Sequence, residues 1–101
     1  MVARTWKGWT KAADTDTYVD YLNETGVPGL AGTPGNLGVQ AFRRIDGDRA
    51  EFVVTSLWES REAIEAFAGE DIEVARFYPE DERFLVEREL SVTHYDVVAS
   101  A

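Results

Sequence analysis

AEFVVTSLWESREAIEAFAG, residues 50–69, holds two periodicities back to back. Up to Trp58 the residues alternate, with Phe52, Val54, Ser56 and Trp58 on one side and Val53, Thr55 and Leu57 on the other. β-Branched and aromatic residues dominate, so Ala50–Trp58 reads as a strand. Ser60 stands where a helix N-cap accepts the first orphan N–H groups. Ala63, Ile64 and Phe67 then recur at helical spacing, and Gly69 follows where helices commonly end. The fold depends on what this strand–helix pair packs with.

Upstream, Asp46-Gly47-Asp48 is a hairpin signal joining a strand at Leu37–Ile45 to Ala50–Trp58. A three-residue loop there places Phe42 opposite Phe52, Arg44 opposite Ala50, and Gln40 on the Phe52 face. Residues 26–38, GVPGLAGTPGNLG, read as a turn-rich loop of the length that forms lids or pocket walls. Before it, Asp14 or Thr15 caps a helix running to about Glu24, with Tyr18, Tyr21, Leu22 and Thr25 as its stripe and Gly26 at the left-handed end position. VARTWKGWT, residues 2–10, is the first strand, with Arg4, Trp6 and Gly8 on one face and Thr5, Lys7 and Trp9 on the other. Downstream, Asp71–Tyr78 reads as a short helix stopped by Pro79. The last strand runs from about Val86 to Val97, with Val86, Arg88, Leu90, Val92 and His94 on one face.

The order β-α-β-β-α-(α)-β in a single domain, residues 1–101, predicts an α+β, ferredoxin-like split βαβ fold. Its four-stranded antiparallel sheet carries the helices on one face. The other face would expose Trp9, Val53, Leu57 and Tyr95, a patch that a two-fold homodimer can bury sheet against sheet.

The formal net charge of −9 argues against nucleic acid, which needs a basic surface, and against anionic membranes. No apolar run is long enough to span a bilayer. With no cysteine, thiolate chemistry and Cys-type zinc sites are excluded, and a single histidine argues against any other His-rich metal site. No secretory signal is visible, so the chain reads as cytoplasmic.

With the elements placed, the sequence resembles the antibiotic biosynthesis monooxygenase family of dimeric α/β-barrel proteins. ARTWKGWT at 3–10, EFVVTSLWESREAIEAFAGEDIEVARFYPED at 51–81 and THYDVV at 93–98 carry the resemblance. It implies one ligand pocket per protomer, between sheet and helices. It also implies a function class: a cofactor-independent monooxygenase or related cyclase acting on an aromatic, polyketide-like compound. The alternative is a non-catalytic dimer that binds a small hydrophobic ligand or has a stress-linked role. The haem-degrading branch uses an asparagine on its first strand, a tryptophan ending its third and an iron-ligating helical histidine. Here those positions fall at about Trp6, at Trp58, and at Phe77 (or Arg76, one residue away). Only the tryptophan matches, so no haem, metal or other cofactor is expected.

The site residues expected on this basis are His94 as general base, Trp6 and Trp58 as stacking walls, and Arg4 and Arg88 as partners for an anion. Each also has a structural reading. Inward tryptophans fill cores, arginines at strand ends pair with carboxylates, and a histidine near a strand end hydrogen-bonds backbone.

Overall fold

The structure, a computed structural model, describes all 101 residues. Strand β1 (Val2–Lys11) is central. A 3₁₀ turn at Ala12–Asp14 leads into α1 (Thr15–Glu24) and α2 (Gly26–Ala31). The hairpin β2 (Asn36–Asp46) and β3 (Arg49–Trp58) follows, then α3 (Arg61–Ala68), a one-turn α4 (Asp81–Phe84), and β4 (Leu85–Arg88) and β5 (Thr93–Asp96). The antiparallel sheet runs β2-β3-β1, and both β4 and β5 pair with the free side of β1. This is the ferredoxin-like α+β arrangement, with the last strand split in two.

Alternation along β1 and β3 is as read from the sequence. The pairs Val2–Trp58, Arg4–Ser56, Trp6–Val54 and Gly8–Phe52 face the helices. Two buried clusters fill that face. Val2, Leu30, Trp58, Ile64 and Phe67 form one, and Tyr18, Leu22, Ala50, Phe52 and Phe84 the other. Ser60 caps α3 by accepting the Ala63 N–H, and Gly69 ends it at φ +89°. No helix is long and apolar enough to cross a membrane.

Several expectations need correction. The β2–β3 loop has two residues, with Asp46 opposite Arg49 and Gly47 first in the turn at φ +63°, a position suited to glycine. Phe42 therefore faces Val53, Ile45 faces Ala50, and Gln40 lies opposite Thr55 on the face away from the helices. Residues 26–31 are helical rather than loop. The chain kinks at Thr25 (φ −122°, ψ −77°) and resumes as α2, and Pro28 falls in the first turn, where no N–H is required. Gly26 thus has no left-handed conformation. The Asp14 side chain makes no capping bond to α1.

Asp71–Tyr78 is not helical: a turn at Ile72 and Glu73 leads into residues 75–78, which run on without regular structure. Its backbone groups are taken elsewhere: the Ala75 N–H donates to Leu90 O at 2.9 Å and the Val92 N–H to Glu73 O at 2.8 Å. The same bonds explain why Val86–Val97 is not one strand. Six residues separate Arg88 from His94, yet their partners Gly8 and Arg4 are only four apart. Glu89 still donates its N–H to Lys7 O, and the surplus beyond it arches off the sheet to meet residues 73–75, which leaves Leu90 66% exposed instead of inward.

Candidate functional site

Between the two clusters lies an open-mouthed cavity. Arg4 and Trp6 from β1 and Val54 and Ser56 from β3 form its sheet side, with Val92 of the arch beside them. Tyr18, Leu22, Val27 and Leu30 come from α1 and α2. Phe67 from α3, the non-helical stretch Ala75–Tyr78, and Asp81 complete it. The mainly apolar lining with a few polar groups suits a small organic ligand.

Trp6 lies flat along β1. Its indole N–H donates to Glu89 O at 2.8 Å, and its ring meets Phe77 edge-on, centroids 6.1 Å apart. Position 8 is glycine because a β-carbon there would collide with the Trp6 ring. Arg4 is only 5% exposed. Its guanidinium donates to Ile72 O (3.1 Å) and Val74 O (3.4 Å) and lies 5.7 Å from the centre of the Phe67 ring. Burial pulls its pKa down to about 10, so it remains a cation at neutral pH. Arg76 covers the other part of this wall, 4.8 Å from the Phe67 ring, and donates to Phe67 O at 2.8 Å.

The acid of the cavity is Asp81, buried at the start of α4. One carboxylate oxygen accepts the Tyr78 N–H at 2.6 Å, while the Asp81 N–H returns a bond to Tyr78 O at 3.0 Å. The other oxygen takes the Tyr18 hydroxyl in a long contact of 3.4 Å. Burial raises the Asp81 pKa above the usual carboxylate range, against the opposing pull of the Tyr78 N–H, the Tyr18 hydroxyl and the Arg88 charge. The Tyr18 phenol is pushed up by burial and then by Asp81, so it stays a hydroxyl.

Of the residues expected from the sequence, Arg4 and Trp6 line the cavity; Trp58, Arg88 and His94 do not. Trp58 is fully buried in the core, its indole N–H donating to Ser56 Oγ at 2.8 Å. Arg88 sits behind Phe77, 4.2 Å from the ring centre, and reaches Glu82 at 3.4 Å. His94 pairs with Arg4 across the sheet but is not among the lining residues, and its Nε2 is buried without a partner. Burial, then the Arg4 and Arg61 charges, lower its pKa, while Glu73 acts the other way. Sequence reasoning missed Asp81, because it sits among solvent-facing charges in PEDERF and only the fold turns it inward. Tyr18 was legible only as a core stripe. No group of three or more His, Cys, Asp or Glu side chains is placed to hold a metal ion.

Residues 1–72 match the sequence model of the family described as antibiotic biosynthesis monooxygenase. The chain belongs to that family. Among solved structures, a putative antibiotic biosynthesis monooxygenase from Bacillus cereus shares 19% identity, covering 100% of this chain and 94% of its own, with a TM-score of 0.68. The haem-degrader MhuD from Mycobacterium tuberculosis, solved with two haems in its active site, shares 23%, covering 100% and 99%, with a TM-score of 0.61. HapK from Hahella chejuensis shares 11%, covering 100% and 96%, with a TM-score of 0.69. At these identities the likeness is one of fold. A comparison with curated protein sequences finds no significant match. Within the antibiotic biosynthesis monooxygenase fold, this chain thus puts one buried carboxyl and two arginines around an aromatic-walled space.

Proposed function

We propose that this member of the family is a cofactor-independent monooxygenase, or a related cyclase, acting on a hydrophobic aromatic, polyketide-like molecule in the cavity. The observation that carries the reading is Asp81, a buried carboxyl of raised pKa on the wall of an aromatic-lined space. Such a carboxylate accepts a proton more readily than one in water, which is what a general base requires. Asp81 takes this role in place of His94, which lies outside the lining. Trp6 and Phe77 supply the stacking wall.

For a hydroxylated substrate with an oxidisable ring methylene, Asp81 takes the hydroxyl proton and the resulting phenolate passes electrons to dioxygen. One oxygen atom becomes the new ring carbonyl. The other leaves as water with the two methylene hydrogens, and the proton on Asp81 returns to the product. Haem is not part of this reading. The only histidine is outside the lining and there is no cysteine to ligate haem iron.

We further propose a homodimer joined through the helix-free sheet face. Trp9, Val53 and Leu57 are only half-buried there and Tyr95 is 57% exposed.

The enzymatic reading is tested with a dihydroxyanthrone as substrate, following oxygen uptake and product absorbance. Asp81→Asn should lower turnover about a hundred- to ten-thousand-fold while the protein stays folded. Saturable binding of the anthrone with no oxygen uptake by the wild type would replace the enzyme with a ligand-binding protein.

A further inference from the structure

The chain has nineteen Asp and Glu residues and eight arginines. Six arginines, at positions 43, 44, 49, 61, 83 and 88, each have a carboxylate oxygen within 4.0 Å. The two without one are Arg4 and Arg76, and both line the cavity. In so acidic a chain this is not for want of partners. Arg4 is the sharper case, because at 5% exposure its charge is out of water. Buried charges are normally paired, since carbonyl dipoles offset only part of the lost hydration. Two backbone carbonyls and the Phe67 ring hold the Arg4 guanidinium in place, and its remaining N–H groups have no protein acceptor. The cavity's own carboxylate does not fill the role. The cationic charge that acts on Asp81 is that of Arg88.

We propose that the cavity takes an anionic hydroxyaromatic molecule, its acid group held by Arg4 and Arg76 and its hydroxyl turned toward Asp81. This rests on reading the cavity as the ligand site. Both guanidinium groups lie against the same ring, Phe67, 5.7 Å and 4.8 Å from its centre, and both belong to the cavity lining. Arg4 is pre-oriented by its carbonyls and presents a planar donor set suited to a carboxylate. Arg76 is exposed at the mouth and meets the anion on entry. Trp6, Phe77 and Tyr78, which line the same cavity, give the ring aromatic walls. A neutral aromatic would leave Arg4 buried with no counter-charge, so the site discriminates on charge as well as shape.

The probes are a hydroxynaphthoate carrying its hydroxyl and acid on opposite rings, and the methyl ester of the same compound. Binding is followed by tryptophan fluorescence and calorimetry. The acid should bind about ten- to a hundred-fold more tightly than the ester, and that preference should shrink as salt is added. Arg4→Gln should bring the two affinities together. Should that variant fail to fold, Arg76→Gln keeps the question open to measurement, because Arg76 is exposed; it should reduce the preference for the acid several-fold with the ester unaffected. An ester bound as tightly as the acid by the wild type overturns the anionic ligand and leaves the aromatic site standing. Binding of neither compound overturns both.

Discussion

Trp58 separates the two readings of this site, because sequence places it on the pocket wall and structure places it in the core. The perturbation is Trp58→Phe, with Trp58→Ala as the extreme. The side chain is fully buried against Val2, Leu30, Ile64 and Phe67. A buried tryptophan removes roughly 200 Å² from water, about 5 kcal/mol at 25 cal/mol per Å². Truncation to alanine in real cores costs about 3–5 kcal/mol. That is a large part of the 5–15 kcal/mol typical of a whole domain. Phenylalanine keeps most of the contact and loses the N–H to Ser56, so about 1–2 kcal/mol is expected. In a domain of this length each kcal/mol moves Tm by about 4–8 °C. Trp58→Phe should therefore melt roughly 4–16 °C lower, while its folded fraction binds hydroxynaphthoate with wild-type affinity. The assay pairs thermal unfolding with titration well below Tm. A variant that melts like the wild type but binds more than about tenfold more weakly would refute the core assignment and restore Trp58 to the site.

Sedimentation at micromolar concentration should give twice the 11.3 kDa protomer mass, and Leu57→Lys on the uncovered sheet face should return it to the protomer; a wild-type monomer ends the dimer proposal. His94 makes stability depend on pH in a defined direction. Its folded pKa lies below the 6.5 of the unfolded chain, so the unfolded state takes the proton first. Its contribution is complete above pH 6.5 and is lost as pH falls through the folded value. Denaturant unfolding between pH 5 and 8 should show that loss in the wild type but not in His94→Gln, and identical profiles would contradict it. Asp81 has the opposite sign in a more acidic window: its folded pKa is raised, so its contribution is lost as pH rises above the ordinary carboxylate value.

What was legible in the sequence was whatever one strong local pattern decides. The alternation of Ala50–Trp58, the Ser60 cap and the α3 stripe each have one dominant outcome, and the faces of β1 follow from Arg4, Trp6 and Gly8. The hairpin register was not legible, because Asp46-Gly47-Asp48 supports a loop of two residues or of three. Residues 26–38 misled through their composition: the glycines suggested turns, although Pro28 is compatible with a first helical turn and the α2 face packs onto α3 through Leu30. At the site, Arg4 and Trp6 could be read because strand parity fixes their direction. Trp58 has the same parity. Whether an inward residue meets the cavity or the core depends on which helix covers it, and parity does not carry that information.

The non-helical wall at residues 72–78 explains why the polar end of the site escaped notice. DIEVARFY has helical spacing and no β-sheet partner nearby in sequence. Its structure comes from 15 or more residues away, where the surplus beyond Glu89 arches out and exchanges two backbone hydrogen bonds with Glu73 and Ala75. Those bonds keep the chain out of a helix, with Ile72 O and Val74 O turned toward Arg4 and Phe77 and Tyr78 toward the cavity. Tyr78 in turn fixes Asp81 through the reciprocal bonds between them. Both functional ends of the cavity, the unpaired arginine and the buried carboxyl, thus depend on one local mismatch in strand length between β1 and its partners. A continuous last strand would leave residues 72–78 free to coil as their spacing favours. It would also remove both carbonyls from Arg4, and a buried guanidinium without them could not remain where it is. The break in the strand is therefore what positions the site.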